Sequence, residues 1–128
     1  MNEDHHNFRF LGQTIKITFK NRVGKSMLEK MLLKIIDKIN RIYDFARLKL
    51  IFKCENGYIK ADSITIAGKN QFNIESNLSD EVKSGELTFS IVIKRNADNN
   101  HSKHSSNTDN YIRKIIEETL YHYGLSNT

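Results

Sequence analysis

The chain has no proline, no tryptophan and a single cysteine, Cys54. Without proline, helix ends have to be set by capping groups and glycine instead of ring sterics. One cysteine excludes an internal disulfide framework. The start, Met1-Asn2-Glu3-Asp4-His5-His6, is polar and acidic and does not read as a signal peptide. No run approaches the roughly 18 apolar residues of a membrane-spanning helix. These absences favour the cytoplasm and argue against a membrane partner.

What is present suits one small domain covering residues 1–128, with 38% apolar residues to form its core. A chain of this size buries roughly two-thirds of its unfolded surface. The formal charge is +5, unevenly spread: residues 16–53 carry eleven Lys and Arg against Glu29, Asp37 and Asp44, so the remainder is acidic. Excess positive charge attracts phosphate polymers and acidic surfaces, but it speaks to association and not to fold.

Two segments carry a helical period. In the first, Ser26 and Glu29 read as an N-cap with its capping box. Leu28, Met31, Leu32, Ile35, Ile36, Ile39, Ile42 and Tyr43 then form one apolar stripe. The second opens near Thr108 or Asp109, places Tyr111, Ile112, Ile115, Ile116, Thr119, Leu120 and Tyr123 on its apolar side, and ends at Gly124.

Alternation marks the strands. Ile15, Ile17 and Phe19 share a phase, whereas Phe8 and Phe10 have the opposite one, so a bulge or turn is expected at Gly12. Leu48, Leu50, Phe52 and Cys54 alternate up to Asn56-Gly57, a hairpin signal that sets Ile59 opposite Cys54 and Ala61 opposite Phe52. Beyond Ser63 the apolar phase moves to Ile64 and Ile66, which predicts a second irregularity. Ala67-Gly68-Lys69-Asn70 reads as a turn, Phe72 and Ile74 as a short strand, and Ser76 to Gly85 as a polar loop. Leu87, Phe89, Ile91 and Ile93 define a half-buried strand. Residues 1–7 and 95–108 read as flexible polar segments.

The order is therefore β-α-β-β-β-β-α. It predicts an α+β two-layer sandwich, with two helices on one face of a mostly antiparallel sheet of four or five strands. The helical connection after the first strand also permits a parallel pairing for that strand.

Catalytic and ligand motifs are incomplete. Gly24-Lys25-Ser26 sits between a strand and a helix, as in a phosphate-binding loop, but Phe19 occupies the position of the first glycine that loop requires. His101 and His104, with His5 and His6, lack fixed geometry and cysteine support for a metal. Cys54 shares a strand face with core residues and reads as an inert buried thiol, which His122 has no reason to activate. Glu117 and Glu118 diverge by about 100° on a helix and do not pair. No cofactor is expected, and no catalytic residue is assigned.

Two surfaces remain. Lys30, Lys34, Lys38 and Arg41 line one side of the first helix. With Lys20, Arg22 and Lys25 before it, they could hold phosphates. Met27 and Leu33 fall outside the apolar stripe of that helix, and Tyr121 outside that of the last; together they read as a protein interface. The strand–helix–strands–helix order, with Asp109-Asn110-Tyr111-Ile112 opening the last helix, resembles the small ribosome-hibernation domains. The polar run 95–108, the additional strand and fewer basic residues on the last helix depart from that pattern, and no site residue carries over. The reading is a non-enzymatic module that binds another protein or its own copy. The alternative is an RNA- or ribosome-associated protein acting through the basic helix face.

Overall fold

The structure, a computed structural model, describes residues 8–94 and 108–123. The elements run β1 (Phe8–Val23), α1 (Lys25–Ile42), β2 (Phe45–Cys54), β3 (Gly57–Ile66), β4 (Lys69–Ser76), β5 (Val82–Lys94) and α2 (Thr108–His122). The five strands form one sheet in the order β1-β5-β2-β3-β4, with every pairing antiparallel. The expected α+β sandwich is therefore present, but β1 takes no parallel partner. It lies beside β5, the last strand in sequence, and the antiparallel ladder satisfies its backbone.

Strand alternation divides the sheet into two faces. Ile15 and Ile17 of β1, Leu87, Phe89 and Ile91 of β5, Leu48, Leu50 and Phe52 of β2, and Ile59 and Ala61 of β3 share the helix side and are buried. Leu28, Met31, Leu32, Ile35, Ile36 and Ile39 of α1, and Ile112, Ile115, Ile116 and Leu120 of α2, complete the same core. α1 packs on β2 and β3, α2 packs on β1, and the helices touch each other. The two stripes read from the sequence are thus buried against one face of one sheet. The exceptions are Ile42, half exposed in the last turn of α1, and Tyr111, which stays half exposed and meets Tyr43 edge-on at 6.4 Å. The buried Thr119 hydroxyl donates to the Ile115 carbonyl at 2.8 Å, so it is satisfied inside its own helix.

Several local expectations need correction. Gly24, not Ser26, is the N-cap of α1, and no side chain caps it; β1 runs to Val23 and leaves only one residue before the helix. The hairpin after β2 turns at Glu55-Asn56, so Cys54 faces Gly57 and Phe52 faces Ile59. Gly57 takes φ +126°, and a Cβ there would lie 2.5 Å from Asn77 Oδ1. A shift of two residues keeps the same side chains on the same face, so the core is unchanged. The loop expected between Ser76 and Gly85 is shorter, because β5 starts at Val82, which is buried.

Neither phase change is an irregularity. The β1–β5 register is continuous through Gly12, and β3 keeps its register through Ser63 with both neighbours. The strands stay regular, and Phe10, Ile64 and Ile66 point away from the helices into solvent. The actual register shifts lie between Thr18 and Val23 of β1 and between Phe45 and Arg47 of β2. The second turns Phe45 into the core despite its odd phase. The flexible segment expected at 1–7, nearly all of that at 95–108, and the cap Gly124 lie outside the described residues.

Candidate binding surfaces

The basic side of α1 is less uniform than its spacing suggests. Lys30 and Lys34 are exposed and Lys38 is half-buried. Arg41 is held by Asp37 one turn earlier, at 3.1 Å, which neutralises that end of the line. Lys20, Arg22 and Lys25 are exposed where β1 loses register and passes into α1, and Lys83 Nζ donates to the Lys20 carbonyl at 2.8 Å. These cations gather near the start of α1. The one-residue connection at Gly24 leaves no room for a phosphate-wrapping loop.

Met27 and Leu33 are exposed on α1, but six positions apart on a helix puts them about 120° from each other, on opposite flanks of the Lys30 line. Tyr121 is exposed on the side of α2 opposite its buried stripe. The three expected interface residues are therefore all accessible but do not form one patch.

The surface that sequence reading missed is the outer face of the sheet. Register places Phe10 beside Val92, Val92 beside Arg47, Arg47 beside Ile64, and Ile64 beside Gln71. This row crosses all five strands. Phe10 is 76% exposed, the most exposed large hydrophobic side chain described, and Ile64 and Ile66 lie open on the same face. Arg47 Nε and Nη2 both donate to the Asp62 carboxylate, at 3.3 and 3.1 Å, which aligns the guanidinium along the sheet. That carboxylate also pushes the Arg47 pKa further up. The signal was available as apolar residues out of phase with the core, but the same pattern also fits a bulge, and local sequence does not separate the two.

Further along this face Tyr58 donates its hydroxyl to Glu75 Oε2 at 2.7 Å, and Lys60 Nζ lies 3.8 Å from Glu75 Oε1. The carboxylate raises the Tyr58 pKa chiefly through that hydrogen bond, with smaller contributions from desolvation and charge. Tyr43, on the helix side, is also raised, first by burial and then by Tyr111.

Among the described residues the cysteine and the histidine lie on different layers of the fold. Cys54 is half-buried, and its thiol donates to the Gly57 carbonyl at 3.5 Å across the hairpin. His122 is exposed at the end of α2, on the other layer. Arg113 pairs with Glu117 at 3.3 Å. Among the described residues no group of three His, Cys, Asp or Glu side chains could hold a metal; His5, His6, His101 and His104 lie outside them.

The chain is thus a two-layer α+β sandwich whose sheet is clad by helices on one side, with exposed apolar side chains on the other. No family model matches it, and no curated protein does. A solved structure similar to it is a zinc(II)-bound triple mutant of the YjiA GTPase, with 9% identity and a TM-score of 0.39 over 86% of this chain and 29% of that one. The chain spans less than a third of that protein's length. A likeness this distant supports no argument about this chain.

Proposed function

We propose that this protein is a non-catalytic interaction module that binds another protein or a second copy of itself, using the outer face of its sheet. One observation carries the reading: the row Phe10–Val92–Arg47–Ile64 crosses the sheet on the side the helices leave open. Interface cores favour aromatic residues and arginine and avoid isolated charge. Here an exposed Phe and two aliphatic residues line up with an arginine whose charge Asp62 already balances. A single cysteine in thiol form suits the reducing cytoplasm, which is where we place the module. Among the described residues no helix is long and apolar enough to cross a membrane.

The test is the double variant Phe10→Ser with Ile64→Ser. Light scattering and capture from a cell extract should show the wild type associating and the variant losing that association, with thermal melting unchanged. A monomer that captures nothing, with or without the substitutions, would overturn the reading.

A second reading, association with RNA or the ribosome, is favoured by Lys20, Arg22, Lys25, Lys30 and Lys34, which are all exposed and form no ion pair with the described residues. Binding of that kind weakens steeply with salt. Retention on a polyanion column at low salt, lost on Lys30→Glu with Lys34→Glu, would support it. Passage of the wild type straight through would reject it.

A further inference from the structure

We infer that β4 is a self-complementary edge, and that two copies of this chain join β4 to β4, antiparallel about Phe72, into one continuous sheet. The inference goes beyond the outer-face reading: it uses the edge of the sheet, names the partner as a second copy, and predicts a dimer that the Phe10→Ser, Ile64→Ser variant retains.

β4 is the last strand of the sheet beyond β3. It holds eight residues and pairs with β3 without a register shift. It contains no proline and no bulge, the devices that commonly blunt an edge. The direction of its free backbone groups follows from the adjoining pair: Asn77 N–H donates to the Tyr58 carbonyl at 3.1 Å. In an antiparallel ladder this orientation alternates. Glu75, Asn73 and Gln71 therefore turn their backbone groups toward β3, while Ile74, Phe72 and Asn70 turn theirs outward.

A two-fold axis perpendicular to the sheet at Phe72 uses those outward groups. Phe72 then exchanges both backbone hydrogen bonds with its own copy, and Asn70 does so with Ile74. On the helix side Phe72 faces Phe72 across the seam, while each Ile74 faces Asn70 of the other copy and lies diagonal to its Phe72. Phe72 is 45% exposed in the single chain, and Ile74 packs at the margin of the core. On the outer side Gln71 meets Asn73, and Lys69 meets Glu75 twice by symmetry. Those charged residues face each other at positions without backbone hydrogen bonds, where side chains approach most closely.

The opposite edge does not match itself in this way. β1 carries Arg9, Lys16, Lys20 and Arg22 and no acid, so pairing it with its own copy opposes only like charges. A seam of one eight-residue strand falls below roughly 1,200 Å², the range of weak and transient contacts. The dimer is accordingly expected at micromolar or higher concentrations.

The test is a charge swap read by sedimentation across about 1 µM to 1 mM, the range in which such a contact dissociates. Wild type should pass from monomer to dimer over that range. Lys69→Glu alone and Glu75→Lys alone should each weaken it about tenfold, since each sets like charges together twice. A mixture of the two variants should form a heterodimer tighter than either variant's own dimer, because only the Phe72-centred register opposes positions 69 and 75. Glu75 also holds Tyr58 and Lys60 within its own chain, so circular dichroism must confirm the fold of its variant. Hydrogen exchange on wild type gives a second readout that needs no variant: the Asn70, Phe72 and Ile74 amides should gain protection as concentration rises. A monomer at every concentration, with those amides unprotected, overturns the inference but leaves a foreign protein partner open. A dimer indifferent to the swap overturns it as well and places the contact elsewhere, with the Phe10 row as the next surface to test.

Discussion

The ring of Phe52 lies directly over Gly85: a Cβ at position 85 would come within 2.7 Å of Phe52 Cζ. The same Cβ would collide with the Lys53 carbonyl oxygen, so rotating the ring cannot relieve the clash. The bare backbone of Gly85 leaves space for Phe52 to reach across to Phe19, with ring centroids 6.2 Å apart. Gly85 sits opposite Ile17 in the β1–β5 ladder, on the helix side, where every neighbour is packed. Gly85→Ala is expected to destabilise the protein by about 1–3 kcal/mol, the range for overpacking a filled core. Urea unfolding with an unchanged m-value would establish it; a loss below about 0.5 kcal/mol, the scatter of surface changes, would show that β2 and β5 can separate freely.

Gly57 is constrained differently. Its φ of +126° is unfavourable for any side chain, and Asn77 occupies the space a Cβ would need. Asn77 Oδ1 also accepts the Tyr58 N–H at 2.8 Å, tying the hairpin to the segment after β4. Gly57→Ala should cost about 1–3 kcal/mol, as backbone strain of this kind does. Because Cys54 bonds the Gly57 carbonyl, faster thiol labelling of Cys54 should accompany the loss. Unchanged labelling with unchanged stability would show that the turn relaxes without strain.

The two sides of α1 should respond unequally. Ile35 is fully buried between helix and sheet, whereas Lys30, on the far side, is exposed. Ile35→Ala removes buried methyl groups and leaves a cavity, costing about 2–5 kcal/mol. Lys30→Ala should stay within about 0.5 kcal/mol. Chemical denaturation of both variants under one buffer compares them directly, and similar losses would contradict the orientation of the helix.

Tyr58 provides a pH-dependent test. Its neutral hydroxyl donates to Glu75, so ionisation would remove that bond and set a phenolate against a carboxylate. The folded pKa therefore lies above the ordinary value of 10.0. A group raised in the folded state contributes stability that is fully present below its unfolded pKa and is lost as pH rises through the folded one. Stability should thus decline in alkali above pH 10, and less so in Tyr58→Phe. Glu75→Gln should bring the Tyr58 titration down toward the ordinary value, read as near-ultraviolet difference absorbance. Tyr43 is also raised, by burial and Tyr111, and should not respond to Glu75→Gln. A Tyr58 titration unmoved by that substitution would refute the assigned cause.

The candidate surfaces were only partly legible in the sequence. Met27, Leu33 and Tyr121 stood out because each departs from a strong helical stripe, and each is exposed. Phe10, Ile64 and Ile66 lacked so clear a background. An apolar residue out of phase in a strand signals either a bulge or an exposed hydrophobe, and the choice depends on whether the neighbouring strand keeps register. The basic line on α1 was legible as spacing, but the Arg41–Asp37 pair shows that part of its charge is balanced within the helix.

Local pattern was enough to determine the element order, both amphipathic helices and most of the side chains that form the core, Phe45 and Val82 apart. Helical and strand periods repeat within a few residues, and burial follows from them wherever the pieces meet. Tertiary structure alone decided that β1 joins β5, that β4 and β1 are the edges, that Phe45 turns inward and that Phe10 and Ile64 share a row. Those outcomes depend on which distant strand completes each backbone's hydrogen bonds, and no stretch of neighbouring residues encodes that choice by itself.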